Sequence, residues 1–127
     1  DFMCDQTTNT AGQIRSGAIK AYAVTTPERV EALPDLPTTA EAGLPEVQVA
    51  VWHGLYVPAK TSDEVVAKLT EALQVALVDP NVIDKLADLG TTPVAQDQVT
   101  PEAHRVKLAE QIELWTPIIK GAGVKGG

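Results

Sequence analysis

The sequence predicts an α/β fold, because segments typical of strands alternate with segments typical of helices along its 127 residues. The opening predicts a β-α-β unit, with a strand over residues 1–5, a short helix over 11–15 and a second strand over 19–24. The connection between these strands is just long enough for a crossover between parallel neighbours. Amphipathic helices dominate the second half, so the chain combines a sheet-forming part with a helical part.

Proline, glycine and apolar alternation predict the elements that follow the β-α-β unit. Five Pro and Gly residues between 25 and 45 break that stretch into turns. Residues 47–57 then alternate and run through Gly54, which predicts one long strand or two strands joined by a bend. A short strand is also expected over 92–95. Because residues 1–5 read as the second half of a buried strand, we expect preceding residues to be missing.

Three helices are predicted in the second half from their caps and apolar spacing. One runs over 61–77 after a capping-box pattern at Thr61. The next starts at Asp79-Pro80 and ends at Gly90. The last starts at Thr100-Pro101, and its predicted apolar stripe consists of Leu108, Ile112, Trp115 and Ile119.

Composition excludes several classes of function. The net charge of −7 and the five aromatic residues argue against a nucleic-acid partner and against an anionic membrane surface. The lone Cys4 cannot form an intrachain disulfide. No phosphate-binding glycine motif occurs, and the two histidines lack metal-ligand spacing with each other or with Cys4. We therefore expect neither a metal nor a cofactor.

The most suggestive candidate site is the segment Asp5, Gln6, Thr7, Thr8 and Asn9, which follows the first strand and precedes a helix. In parallel α/β sheets, ligands collect beyond the carboxyl ends of strands, where a helix start presents free backbone N–H groups. A carboxylate could be held there by hydroxyls and amides, whereas Asp5 would accept from a ligand hydroxyl or ammonium. The alternative is that these residues only cap the helix.

A second candidate is Trp52 with Gly54, within the strand-like run. Trp52 could form the wall of a pocket and His53 could donate to a ligand, although core packing explains both residues as well. An arrangement of Cys4, His53 and Asp5 for nucleophilic catalysis is also conceivable. It is disfavoured, because a strand-embedded cysteine without an activating neighbour is usually inert.

Five stretches together resemble the substrate-binding proteins of tripartite tricarboxylate transporters, also called the Bug or TctC-like family. They occur in the family's order and spacing, and cover almost the whole chain. They are Gly12–Gly17 with Ala21–Thr25, Leu33–Leu44, Val51–Ala59, Leu77–Pro80 and Trp115–Val124.

The resemblance implies part of a type II periplasmic binding protein fold, in which two α/β lobes close on a small carboxylated solute. Residues 1–50 would be the remainder of the second lobe, 51–58 the crossing strand and hinge, and 59–127 a C-terminal segment returning to the first lobe. The family match also places Asp5, Thr7 and Thr8 at the cleft edge, and Trp52 and Gly54 at the crossover.

The resulting expectation is a periplasmic, non-enzymatic receptor fragment that captures a small organic carboxylate and delivers it to membrane permease subunits. The alternative is an interaction module that self-associates or pairs with a separate chain supplying the missing lobe. An acyl-transfer enzyme using Cys4 is a third and weaker hypothesis.

Overall fold

A computed structural model describes residues 2–123 of the chain, so Asp1, where the first predicted strand starts, lies outside the described residues. Four α-helices are formed, and a short 3-10 helix, Gln96–Gln98, precedes the last of them. They are α1 (Thr7–Arg15), α2 (Asp63–Ala76), α3 (Pro80–Asp88) and α4 (Pro101–Gly121). None of the helices within residues 2–123 is both long and apolar enough to cross a membrane.

The chain divides into two compact units. The first unit holds the residues up to Leu55 together with Ala76–Pro93, and the second holds Tyr56–Val75 together with the residues from Val94 onward. The chain therefore passes between the units three times, and the second passage falls near the C-terminal end of α2. Neither unit is one continuous stretch of sequence.

The predicted helix boundaries are largely confirmed by their caps. The Asp79 side chain accepts a hydrogen bond from the Asn81 N–H, with Pro80 at the first helical position. Thr100 caps α4 in the same way, by accepting from the Ala103 N–H at 3.1 Å. The start of the first helix was predicted wrongly. α1 begins four residues earlier, at Thr7, and its N-cap is Gln6.

The predicted strands are a further correction. Within residues 2–123 the only sheet-type pairing is an isolated parallel bridge between Val24 and Thr38. The predicted strand segments 2–5, 47–57 and 92–95 form no ladder there. A ladder needs a second backbone alongside over several residues, and the single backbone hydrogen bond of Val49 does not make one. Residue 24 alone of the segment 19–24 has such a neighbour.

Three short segments of the first unit are nevertheless joined around Val24 and Thr25. The Val24 N–H donates to the Pro37 carbonyl at 2.9 Å, and the Thr39 N–H donates back to the Val24 carbonyl at 2.8 Å. On the other side, the Val49 N–H donates to the Thr25 carbonyl at 2.8 Å. Thr38 and Thr39 are buried in this arrangement, and their hydroxyls take part in hydrogen bonds.

The buried core of the described residues is small. Its apolar members are Ala11, Val24, Leu33 and Val99. The chain exposes 9743 Å² of surface, whereas two separate compact bodies of half its mass would together expose about 7,800 Å². Large apolar side chains therefore remain on the surface, including Ile112, Ile118 and Ile119 of α4.

The last two helices turn particular positions inward. On α3 the more buried positions are Val82 and Leu86, whereas Ile83 and Leu89 nearby are exposed. On α4 the half-buried positions include His104, Leu108, Gln111 and Trp115, at the 4, 3, 4 spacing of one helix face. The predicted Ile112 and Ile119 lie outside that face.

Candidate functional site

The loop before α1 is held together by the carboxylate of Asp5. Its Oδ1 atom accepts from the Gln6 backbone N–H at 2.7 Å and from the Asn9 side-chain amide at 3.1 Å. Asp5 and Asn9 are both exposed. The structure therefore brings three of the predicted site residues into one local cluster at the start of a helix.

The start of α1 presents unused hydrogen-bond donors. Gln6 occupies the N-cap position, but its side chain makes no capping hydrogen bond. Within residues 2–123, the backbone N–H groups of Thr7 and Thr8 have no protein acceptor, as is usual for the first turn of an uncapped helix. The Thr8 hydroxyl makes only a long contact, 3.5 Å, with the Gln6 side-chain oxygen. These groups and the positive end of the helix dipole favour an anion.

Thr7 differs from Thr8 in the direction of its hydroxyl. Its Oγ1 donates to the backbone carbonyl of Gly90 at 3.1 Å, across a sequence separation of 83 residues. At the other end of α1, Arg15 Nη2 donates to the carbonyl of Asp88 at 3.2 Å. Asp88 is the last residue of α3, and Gly90 follows the C-cap residue Leu89.

Gly90 has a conformation that few other residues adopt. Its φ is +73°, and it closes α3 through hydrogen bonds from the Gly90 N–H to the Ala87 carbonyl and from the Thr91 N–H to the Leu86 carbonyl. A Cβ atom placed on Gly90 would lie 3.4 Å from the Thr7 Cβ and 3.6 Å from the Ala11 Cβ. The sequence analysis identified Gly90 as a helix stop but missed its contact with α1.

The second candidate segment is less well defined. Trp52 is half-buried, whereas His53 and Gly54 are exposed. Trp52 and Gly54 lie just before the boundary between the two units. Their participation in a site with residues 5–9 stays a prediction.

An ion pair supports the turn-rich part of the first unit. Arg29 Nε donates to both carboxylate oxygens of Glu41, at 3.1 and 2.9 Å, and Arg29 Nη1 donates to the Pro34 carbonyl. Glu41 also accepts from the Thr38 N–H at 2.8 Å. The hydrogen bond from Arg29, followed by that from the Thr38 backbone, lowers the pKa of Glu41 below its ordinary value.

The second unit contains a polar contact that the sequence analysis did not anticipate. His104 Nε2 lies 3.1 Å from the Tyr56 hydroxyl, and the two rings meet edge to face with centroids 4.8 Å apart. The residues are 48 positions apart, and neither belongs to a recognisable motif. Among residues 2–123, no group of three or more His, Cys, Asp or Glu side chains is placed to hold a metal ion.

Two open depressions lie elsewhere on the surface. One, of about 460 Å³, is bordered in the first unit by Ile14, Ile19 and Leu36, among others. The other, of about 550 Å³, is bordered in the second unit by Thr100, Val106 and Lys107, among others. Neither of these two depressions is lined by any of the predicted site residues.

The sequence profile of the tripartite tricarboxylate transporter family receptors matches residues 1–124. The chain belongs to this family, as its resemblance indicated.

Solved structures and a further relative agree with this assignment. The periplasmic binding protein BugD is 46% identical with a TM-score of 0.89 over 97% of this chain. MatC from Rhodopseudomonas palustris, solved with bound malate, is 39% identical with a TM-score of 0.88 over 94% of this chain. The UPF0065 protein of the TAR-I ttuE-ttuC' intergenic region of Agrobacterium vitis is 47% identical over 123 residues, 97% of this chain.

These relatives are much longer than the present sequence. The chain spans 41% of the BugD chain, 40% of the MatC chain and 36% of the Agrobacterium vitis protein. The structural similarity confirms the expected fold class, part of the α/β fold of periplasmic binding proteins, although the described residues form few strand pairings.

Proposed function

We propose that this chain is part of a periplasmic solute-binding receptor that captures a small organic carboxylate and delivers it to the membrane permease subunits of a tripartite tricarboxylate transporter. The observation that carries the proposal is the family match over residues 1–124. The malate bound to MatC supports the choice of a carboxylate as ligand. In this proposal the receptor binds its ligand without chemical change, and Cys4 has no catalytic role.

The proposed ligand-binding residues are those at positions 5–9, with Trp52 and Gly54 on the crossing segment. We call Asp5 and Gln6 before α1, together with the first three residues of the helix, the binding loop. The free N–H groups of Thr7 and Thr8 suit a carboxylate, because they can donate hydrogen bonds to its oxygens and lie at the positive end of the α1 dipole. Asp5 repels a second carboxylate nearby and accepts from a hydroxyl or ammonium group. The combination favours a ligand with a carboxylate at one end and such a donor next to it.

The ordering of the loop also supports this assignment. Asp5 and Asn9 already contact each other, so little conformational entropy is lost when a ligand orders the loop. The Thr8 hydroxyl, whose only protein contact is long, is free to turn towards a ligand oxygen. Trp52 would supply an apolar wall to the same ligand, as such sites require.

Titration calorimetry of the complete gene product with malate tests the proposal. We expect saturable binding, and Thr8→Val should weaken it by about 5- to 150-fold, because a ligand oxygen would lose its hydrogen-bond donor in a closed site. Thr116→Val removes a hydroxyl from α4 and serves as the matched control. Absence of binding to malate, to other C4–C6 dicarboxylates and to amino acids would reject the proposed function.

Asp5→Asn tests the choice of ligand separately. The amide oxygen can still accept from Gln6 and Asn9, so the loop should keep its shape while the negative charge is lost. We expect the preference for 2-hydroxy and 2-amino acids over plain dicarboxylates to fall. An unchanged preference would remove Asp5 from the site and leave it as a structural residue of the loop.

The exposed apolar surface favours a second candidate, an interaction module. Leu114 and Ile118 of α4 are 52% and 50% exposed. Apolar surface of this kind commonly marks an interface. Alone, the 127-residue chain would therefore self-associate or bind a polypeptide that completes the fold. Light scattering at micromolar concentration that gives a monomer, together with no binding of a hydrophobic dye, would reject this candidate.

A further inference from the structure

Three residues of α1 share one face of the helix and meet the end of α3. Thr7, Ala11 and Arg15 follow one another at intervals of four, which places them in a row along the helix. Thr7 and Arg15 donate to the carbonyls of Gly90 and Asp88. Ala11, between them, is buried, with 3% of its surface exposed.

The contact provides donors to backbone carbonyls at the end of α3 and just beyond it. The last carbonyls of a helix have no partner within it, and Arg15 donates to one of these, that of Asp88. Thr7 donates to the carbonyl of Gly90, which follows the C-cap residue. Arg15 also brings a positive charge to the negative end of the α3 dipole. Glycine is favoured at position 90 by the positive φ of the turn that follows α3, and this turn brings residue 90 next to Thr7, Ala11 and Ala32.

We infer that the C-terminal end of α3 positions α1, and through α1 the binding loop, with Thr7 and Arg15 acting as positioning residues. The inference rests on the proposed function, since it assumes that the loop at residues 5–9 holds the ligand. The inference gives the neighbouring residues Thr7 and Thr8 different roles. The Thr7 hydroxyl fixes the helix against Gly90, whereas its N–H and the Thr8 groups remain available to the carboxylate.

Arg15 separates positioning from direct contact. It lies eight residues after Thr7, about 12 Å along the helix axis, and its guanidinium is directed to the Asp88 carbonyl. A ligand held by the first turn of α1 is not contacted by this side chain. A loss of affinity on changing Arg15 therefore reports the placement of α1.

The experiment measures malate affinity by calorimetry in the complete gene product for Thr7→Val, Thr7→Ser and Arg15→Met. Thr7→Val keeps the shape of the side chain and removes the donor, and we expect affinity to fall by about 3- to 10-fold. Thr7→Ser should restore most of the affinity. Arg15→Met should lower it by about 2- to 5-fold.

Two controls match these changes without touching the contact between α1 and α3. Thr10→Val removes a hydroxyl that donates to the Gln6 carbonyl, next to the same helix start. Arg105→Met removes an arginine that pairs with Glu102 on α4. Thermal unfolding of every variant is recorded alongside, so that affinity is compared only among folded proteins, and the controls should bind as the wild type does.

The outcomes separate the two claims. If the wild type binds no carboxylate, the proposed function fails. If the wild type binds and Arg15→Met binds equally well, the positioning inference is overturned while the function stands. If Thr7→Val abolishes folding, Thr7→Ser and Arg15→Met still decide the inference.

Discussion

The two regions that differ most are the α1–α3 contact in the first unit and α4 in the second. α1 has only nine residues, but a buried alanine, a threonine and an arginine tie it to residues more than 70 positions away. α4 has 21 residues and leaves Ile112 and Ile119 59% and 46% exposed. Helix length is therefore a poor guide to how much of a helix the chain itself stabilises.

α1 and α4 differ in how much of their apolar surface is covered by other residues of the chain. The inward face of α1 is covered by residues of this chain, so burying it stabilises the folded state of the chain itself. Five large apolar side chains of α4 are between 46% and 59% exposed, so their exposed parts contribute little to the folding of the chain alone. Substitutions in the two regions should consequently have unequal costs even where the residue types are alike.

The largest expected effect comes from shortening a buried side chain beside the α1–α3 contact. Leu33 is 5% exposed, so Leu33→Ala should lower the free energy of unfolding by about 2–4 kcal/mol. Ile112→Ala on α4 should cost less than about 1 kcal/mol, because most of the side chain already meets water. Denaturant midpoints measure both, and equal costs would contradict the comparison.

A pair of glycine substitutions sharpens the comparison within the first unit. Gly90→Ala should destabilise by about 1–2 kcal/mol, because a side chain disfavours the positive φ at that position. Gly12→Ala, inside α1 with nothing within 4 Å of the new Cβ, should stabilise by about 0.5–1 kcal/mol. Thermal unfolding should thus move in opposite directions, and a loss of stability in Gly12→Ala would show that α1 is more constrained than its contacts indicate.

The smallest effect concerns acid stability of the Arg29–Glu41 ion pair. The pKa of Glu41 is lowered on folding, so the pair stabilises the protein above the ordinary glutamate pKa, and this contribution is lost as the pH falls through the lowered value. Glu41→Gln should remove that part of the pH dependence. Both side chains are nearly half exposed, so the effect should shrink further in high salt. If the free energy of unfolding falls equally with decreasing pH in the wild type and in Glu41→Gln, this prediction is wrong.

The sequence predicts features that depend on contacts between neighbouring residues better than features that depend on residues far apart in the chain. The caps at Asp79 and Thr100 and the stop at Gly90 were predictable, because each is a contact between residues within five positions of one another. The strands were not, since pairing depends on a second segment that local alternation does not identify. The inward face of α4 was predicted only in part: Leu108 and Trp115 lie on it, whereas Ile112 and Ile119 do not, because apolar residues occur on more than one side of that helix.

The candidate site shows the same division. The residues from Asp5 to Asn9 were identified from their place before a helix, which is local information. The direction of the Thr7 hydroxyl depends on Gly90 and could not be read from neighbouring residues. One signal was nevertheless present, because Thr7, Ala11 and Arg15 form a row of small, small and basic residues that suits the end of another helix.

The contact between Thr7 and Gly90 also limits how early α1 can become stable while the chain is being synthesised. The two residues are separated by 83 positions, so α1 leaves the ribosome long before its partner exists. At ordinary rates of translation the interval is roughly 4–17 s, far longer than the microseconds in which a helix of this size forms and melts. An isolated nine-residue helix is unstable in water. The contact of α1 with Gly90 therefore forms only after residue 90 has been synthesised, and until then the early part of the first unit lacks this source of stability.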